Sequence, residues 1–144
     1  MRIDVPLGPE RFAVEPGSLD RTTDQELWRF FAPHDGYSVE VLLAGGETGP
    51  DSARLDLAER VIPYLAELVS VSRYYLRGFV DERKLDGPGE WVLEWLEFGR
   101  HPDQMPEPFE LVLVHDGDVY GGWGVRFFRG PWGFRPYEFR RFQR

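Results

Sequence analysis

Alternating apolar and polar residues mark several short stretches of the chain, with the period of two that is typical of β-strands. The clearest case is residues 109–142, where two hydrophobic runs flank the sequence His115-Asp116-Gly117-Asp118. An Asp-Gly pair readily supplies the positive φ angles of a tight turn. The pattern therefore predicts a hairpin, and a last strand is predicted over residues 137–142. The glycines at 121, 122 and 124 predict a bulge, or room for another backbone or a large cross-strand ring.

A second hairpin is predicted near the start of the chain. Residues 26–32 and 37–43 flank Pro33-His34-Asp35-Gly36, which has the residue types of a turn. The same region allows an alternative, a helical turn over residues 23–31, because Thr23 and Glu26 have the spacing of a capping box. We prefer the hairpin.

Residues 55–79 have apolar side chains at intervals of three and four, which predicts one broad apolar helix face. Thr48 and Asp51 have capping-box spacing ahead of this helix. Pro63 is predicted to kink or restart it, because proline removes a backbone hydrogen bond. Gly78 is expected to end it in the left-handed conformation, with Phe79 folding back onto the last turn.

Residues 91–98, WVLEWLEF, predict a strand with Trp91, Leu93 and Trp95 on one face. The same alternation places Glu94 and Glu97 on opposite faces, so no carboxylate pair is expected there. A proline-rich loop follows over residues 99–108.

These elements predict one α+β domain over residues 1–144, with an irregular lead-in over residues 1–22. The expected order is β-β-α-β-β-β-β. The sheet is mostly antiparallel, and one long, proline-kinked helix packs on one of its faces.

The charge of the chain is unevenly distributed. The formal net charge is −8, but residues 119–144 carry +5, so residues 1–118 carry −13. Such a balance disfavours general binding to nucleic acid, which depends on clustered basic residues. The arginine and aromatic residues near the C-terminus leave a contact with single-stranded nucleic acid as an alternative.

Composition also bears on location. The chain has no cysteine, no apolar run of membrane-spanning length and no apolar signal-peptide region at its start. We therefore expect a cytoplasmic protein that does not enter a membrane.

Two His-Asp-Gly triplets, at residues 34–36 and 115–117, are the most suggestive candidates for catalysis or metal binding. Each lies in a predicted turn, where aspartate and glycine are explained by the backbone reversal. We accordingly predict no catalytic residues, no metal and no cofactor. The alternative is a small enzyme or ligand-binding domain with a cleft near His115, Asp116 and Trp123.

A helix followed by an aromatic-rich antiparallel sheet, with Trp91, Trp95 and Trp123 in its strands, resembles small bacterial α+β domains. Among these are immunity-type proteins encoded beside toxins. The resemblance assigns no role to any residue.

An acidic surface is the other functional signal in the sequence. We predict a non-enzymatic protein-binding module, with an immunity-like inhibitor as the more specific hypothesis, whose acidic face steers a basic partner towards it. The residues predicted to form this face are Asp56, Glu59, Glu67, Asp81, Glu82 and Asp86.

Overall fold

The computed structural model describes residues 3–24, 26–80, 90–99, 104–115 and 121–143. Within these residues the strands are β1 Asp20–Arg21, β2 Leu27–His34, β3 Tyr37–Gly46, β4 Gly49–Pro50, β5 Trp91–Phe98, β6 Phe109–His115, β7 Gly121–Gly130 and β8 Gly133–Gln143. The helices are α1 Ser52–Val61 and α2 Leu65–Arg77, which a 3-10 turn over Ile62–Tyr64 joins.

The predicted α+β fold is confirmed. The strands form one sheet in the order β1-β2-β3-β5-β6-β7-β8, with β4 paired to β3. Neighbouring strands are antiparallel except for β3 and β5, which are parallel. The helical segment joins this parallel pair, as a parallel connection requires. Its apolar side chains pack with those of one sheet face into a single core. We call the opposite side of the sheet the outer face.

The first hairpin forms as predicted, and the helical alternative does not. Asp35 and Gly36 make a two-residue turn with φ angles of 50° and 83°, and His34 pairs with Tyr37 beside it. Positive φ at both central residues is the requirement of a type I′ turn. In the second hairpin, β6 and β7 pair antiparallel, while residues 116–120 lie outside the described residues.

Pro63 interrupts the helix as expected and lies in the 3-10 turn from which α2 restarts. Two predictions about the helix ends are wrong. Gly78 has a φ of −71°, so it is not in the left-handed conformation. The N–H groups of Phe79 and Val80 donate to the carbonyl of Leu76, and the helix therefore ends without a left-handed residue. At the other end, the predicted capping box does not form: the N-cap residue is Asp51 and not Thr48, and the Asp51 carboxylate binds Arg54 at 2.8 Å without capping the helix. Phe79 does fold back, with its ring 5.1 Å from that of Tyr75.

The face assignment predicted for β5 is only half correct. Its pairing with β6 shifts register between Leu93 and Trp95, which is a β-bulge at Glu94. Since a bulge adds one residue to a strand, the alternation reverses beyond it. Leu96 and Phe98 therefore join the buried, helix-facing side, and Trp95 turns to the outer face.

The lead-in contacts both the sheet and the helical segment. Val5 exchanges two backbone hydrogen bonds with Phe134 of β8, at 2.8 and 3.0 Å. Further along, the Phe12 N–H donates to the carbonyl of Glu59 in α1, and the Phe12 ring stacks on Phe30. The irregular backbone is thus held by specific contacts with both layers.

Candidate functional site

A row of charged side chains crosses the outer face, because the bulge in β5 brings Glu97 to this side. Glu97 is the direct cross-strand partner of Glu110 on β6, Glu110 pairs with Arg126 on β7, and Arg126 pairs with Glu138 on β8. We call these four residues the charged row. Charged residues on neighbouring strands of one face lie close enough to interact.

Glu110 is the centre of the charged row and is completely buried. Arg140 of β8 donates two hydrogen bonds to its carboxylate, both at 2.7 Å, from Nε and Nη2. Arg126 Nε donates a third at 3.3 Å, and Arg126 Nη1 also binds Glu138 at 3.2 Å. The fork geometry of arginine matches a carboxylate in this bidentate arrangement. The desolvated charge of Glu110 is therefore balanced by two guanidinium groups.

A glycine on β7 makes room both for this carboxylate and for an aromatic ring of the neighbouring strand β8; the sequence predicted room for a ring but not for the carboxylate. A Cβ atom on Gly124 would lie 2.6 Å from Glu110 Oε2 and 2.9 Å from the ring of Phe142. That ring packs 5.7 Å from Trp95, and the guanidinium of Arg140 lies 4.2 Å above it. The outer face thus combines a buried ion network with half-buried aromatic rings.

Glu97 differs from Glu110 in that no arginine of the described residues donates a hydrogen bond to its carboxylate. Its nearest ion pair, with Arg140, is 3.9 Å long. Burial raises the pKa of Glu97, and the negative charge of Glu110 raises it further; Arg140 and Arg126 oppose this to a smaller extent, and Asp24 adds the smallest contribution. Because the net shift is upward, an additional cation beside Glu97 would favour its ionised form.

Beside Glu97, the end of the sheet forms a small cleft with a volume of about 180 Å³. The described residues that line it are Asp24, Glu26, Leu27, Ala44, Glu97 and Gly99. We call it the acidic cleft. It lies at the carboxyl ends of the parallel strands β3 and β5, where β-sheets with helical crossovers commonly place ligands. Its volume is below the roughly 300 Å³ of pockets for whole small-molecule ligands. It is therefore suited to one inserted side chain.

The acidic face predicted on the helix is partly engaged within the protein. The Asp56 carboxylate binds Arg11 and Arg60, and these two hydrogen bonds lower its pKa. Glu59 accepts the Val14 N–H at 3.4 Å. Glu67 is exposed on α2, whereas Asp81, Glu82 and Asp86 lie outside the described residues. Binding of a partner by these residues stays a prediction.

Among the described residues, no second imidazole lies beside the residues of the alternative cleft. His115 is buried on the helix side with its ring 5.0 Å from Trp91, which in turn packs 6.2 Å from Trp123. His34 is three strands away, or about 14 Å at the usual strand spacing. Asp116 and His101 lie outside the described residues, and no group of three potential metal ligands occurs within them.

Larger grooves follow the helical segment where the lead-in crosses it. One of about 580 Å³ includes Arg11, His34 and Asp35. Arg11 is already paired with Asp56, and burial lowers the pKa of His34, which favours the neutral imidazole. The polar groups of this groove do not converge as those of a ligand site do.

Sequence reasoning missed the charged row and the acidic cleft. A local signal existed, since Glu110 and Arg126 stand inside otherwise apolar strands. Their convergence with Glu97 depends on the bulge and on strand order.

A comparison with known protein families, curated proteins and solved structures finds no match to this chain. Among the helices in the described parts of the chain, none is long and apolar enough to cross a membrane.

Proposed function

We propose that this protein is a non-enzymatic module that binds a basic protein, in the manner of an immunity-type inhibitor acting in the cytoplasm. The acidic cleft is the observation that carries this proposal. Three carboxylates, those of Asp24, Glu26 and Glu97, line it, and the lining residues that the structure describes include no basic side chain.

A lysine or arginine side chain fits the chemistry of the acidic cleft. Glu97 has a raised pKa because it is partly buried beside Glu110. A bound cation would offset that repulsion and favour the ionised form of Glu97. Binding is therefore expected to release protons and to strengthen as the pH rises through the titration of Glu97.

The exposed acids of the helical segment contribute to recognition at longer range. Glu67 lies in the acidic part of the chain, which carries −13 over residues 1–118. Such a field accelerates the encounter with a basic partner and weakens with added salt. The cleft then determines where the partner's side chain inserts.

Affinity capture from the native lysate tests the proposal, with the unaltered chain and Asp24→Asn/Glu26→Gln as bait. We expect a basic protein to be captured at low salt and lost with the double variant. The Asn at position 24 can still accept the hydrogen bond that Asp24 Oδ1 receives from the Glu26 N–H. Glu15→Gln/Asp20→Asn, which removes two exposed charges that belong neither to the acidic cleft nor to the helical segment, is the matched control and should retain the partner.

A defined probe locates the site independently of the natural partner. A short arginine-rich peptide should shift the backbone amide resonances of residues 24–27, 44 and 97–99 in NMR spectra. The proposal is refuted if the shifts concentrate elsewhere, or if both double variants lose the captured protein equally.

A further inference from the structure

A hollow of about 550 Å³ lies between the lead-in and α2, and it shares no described residue with the acidic cleft or the charged row. The described residues that line it are Asp4, Val5, Pro6, Tyr64, Ala66, Glu67, Ser70 and Val71. We call it the helix-side hollow. Its volume falls within the range of roughly 300–1,000 Å³ that is usual for small-molecule sites.

We propose that the helix-side hollow binds a small organic amine, a ligand with an apolar body and one cationic head group. Sites for small ligands are lined mainly by apolar side chains, with a few polar groups that fix the orientation of the ligand. The hollow has this composition, and the sign of its charged groups selects a cation.

The floor of the hollow is apolar. Val5 and Val71 are buried, with 4% and 5% of their surfaces exposed, and both belong to the core. Pro6 and Ala66 are exposed and form part of the rim. An apolar body that lies on this floor leaves water for an apolar surface, which favours binding.

The polar groups of the hollow are two carboxylates and two hydroxyls. Glu67 and Ser70 are exposed on α2, three residues apart and therefore on one side of the helix. Asp4 lies on the opposite wall, in the lead-in, and its ion pair with Arg135 is long at 3.7 Å. The hydroxyl of Tyr64 is the fourth group. Carboxylate and hydroxyl oxygens all accept hydrogen bonds from an ammonium group.

The charged side chains of the hollow select an amine over an anion. Asp4 and Glu67 are the charged residues among its described lining, which includes no basic side chain. An adjoining hollow of about 540 Å³ continues along the same two walls, from Ile3 on the lead-in and Tyr74 on α2. The charged residue in the described lining of that hollow is Arg77. A cation is therefore attracted to the helix-side hollow and not to its neighbour.

The walls of the hollow favour a small ligand over an extended peptide. The N–H and C=O groups of Val5 both bind Phe134, at 2.8 and 3.0 Å. On the other wall, the backbone groups inside α2 bind each other along the helix. A peptide that adds to an element as a strand needs backbone groups with which to pair. The hollow therefore recognises its ligand through side chains.

Three probes of one shape test the sign of the charge. 2-Phenylethylamine, 2-phenylethanol and 3-phenylpropionate share a ring and a short linker, but their polar groups are cationic, neutral and anionic. We expect the amine to bind with a dissociation constant on the order of 1 mM at physiological salt, as suits so small a ligand. The other two probes should bind at least about fivefold more weakly. In NMR spectra the backbone amide shifts should concentrate at residues 4–5 and 64–71.

A pair of double variants tests the two carboxylates. Asp4→Asn/Glu67→Gln should weaken binding of the amine by about fivefold or more, and should leave binding of 2-phenylethanol within about twofold. Glu15→Gln/Asp20→Asn changes the net charge by the same amount at exposed positions outside the hollow. It is the matched control and should retain binding. Circular dichroism confirms that both variants are folded.

A pair of alanine positions tests the hollow without a change of charge. Ala66 lines the hollow and is the second residue of α2, whereas Ala53 is the second residue of α1 and does not line it. Both alanines are exposed. Ala66→Leu should weaken binding of the amine at least about threefold by filling the hollow, and Ala53→Leu should leave it unchanged.

Four outcomes overturn the proposal on these probes and variants. They are the absence of saturable shifts with the amine up to about 10 mM, equal binding of 3-phenylpropionate and the amine, equal losses in the two double variants, and equal losses in the two leucine variants.

A blocked peptide, acetyl-Ala-Lys-Phe-Ala-amide, presents an amine and a ring on a peptide backbone. Binding of this peptide more than about tenfold tighter than that of the amine would assign the hollow to a segment of a protein and overturn the proposal as well. None of these measurements involves the acidic cleft or a natural partner protein, so they are independent of the proposed function.

Discussion

Glu110 is expected to be the outer-face residue whose loss costs the most stability. Its carboxylate is fully buried and accepts hydrogen bonds from Arg140 and Arg126. Removing one partner of a buried ion pair costs about 3–5 kcal/mol, because the remaining charge is buried without compensation. Arg140 is 39% exposed in its side chain, but Arg126 is only 11% exposed and would bear that cost. We therefore expect Glu110→Ala to lower the free energy of unfolding by about 3 kcal/mol.

The corresponding change in melting temperature follows from chain length. An unfolding entropy of about 2.1 cal/mol/K per residue means that 1 kcal/mol shifts the melting temperature of a chain of this size by about 3 °C. Glu110→Ala should thus melt about 10 °C below the unaltered chain. Urea unfolding, followed by circular dichroism and tryptophan fluorescence, measures the free energy directly.

A double-mutant cycle separates the ion network from packing. In Glu110→Gln/Arg126→Met, both the carboxylate and the more buried guanidinium are replaced, so much of the loss seen in Glu110→Gln should be recovered. Glu138→Gln is the control, because Glu138 is 45% exposed in its side chain and its pair should contribute at most about 1 kcal/mol. The reasoning is refuted if Glu110→Ala costs less than about 1 kcal/mol, or if the Glu110 and Arg126 substitutions are simply additive.

Three further predictions concern the sheet and its turns. Gly124→Ala should destabilise the fold by about 1–3 kcal/mol, because the added Cβ atom would overlap Glu110 and Phe142. Gly122→Ala should cost clearly less, because the atoms nearest to its added Cβ are 3.4 Å away, and urea unfolding of the two variants makes the comparison. Glu97→Gln should stabilise the protein increasingly as the pH rises above about 4.3, the ordinary pKa of glutamate. The reason is that a raised pKa in the folded state lowers stability once the carboxyl group ionises. Equal stabilities of the variant and the unaltered chain from pH 4 to 8 would contradict this prediction. Gly36→Ala should lower the free energy of unfolding by about 1–2 kcal/mol, because the φ angle of Gly36 is 83°. Gly46→Ala is the control, because Gly46 has open space around it and no positive φ, and thermal unfolding of both variants tests the difference.

Local sequence determined most of the elements of this protein. Alternation and turn residues were enough for the first hairpin, because the Asp35-Gly36 turn and its flanking strands are neighbours in the chain. The three-and-four spacing likewise predicted the helical segment, and Pro63 predicted its interruption. Strand β5 was predicted with its observed bounds, 91–98.

Tertiary structure alone decided which faces these residues occupy. A single bulge at Glu94 reverses the alternation in β5, so Glu97 comes to lie beside Glu110 rather than where strict alternation would place it. A bulge is defined by the pairing of a strand with its neighbour, so strict alternation along one strand does not predict it. Strand order similarly brings Arg126 and Arg140 to the same carboxylate from positions 16 and 30 residues further along the chain. Because side-chain direction in a sheet has a period of two, one added residue changes every contact beyond it.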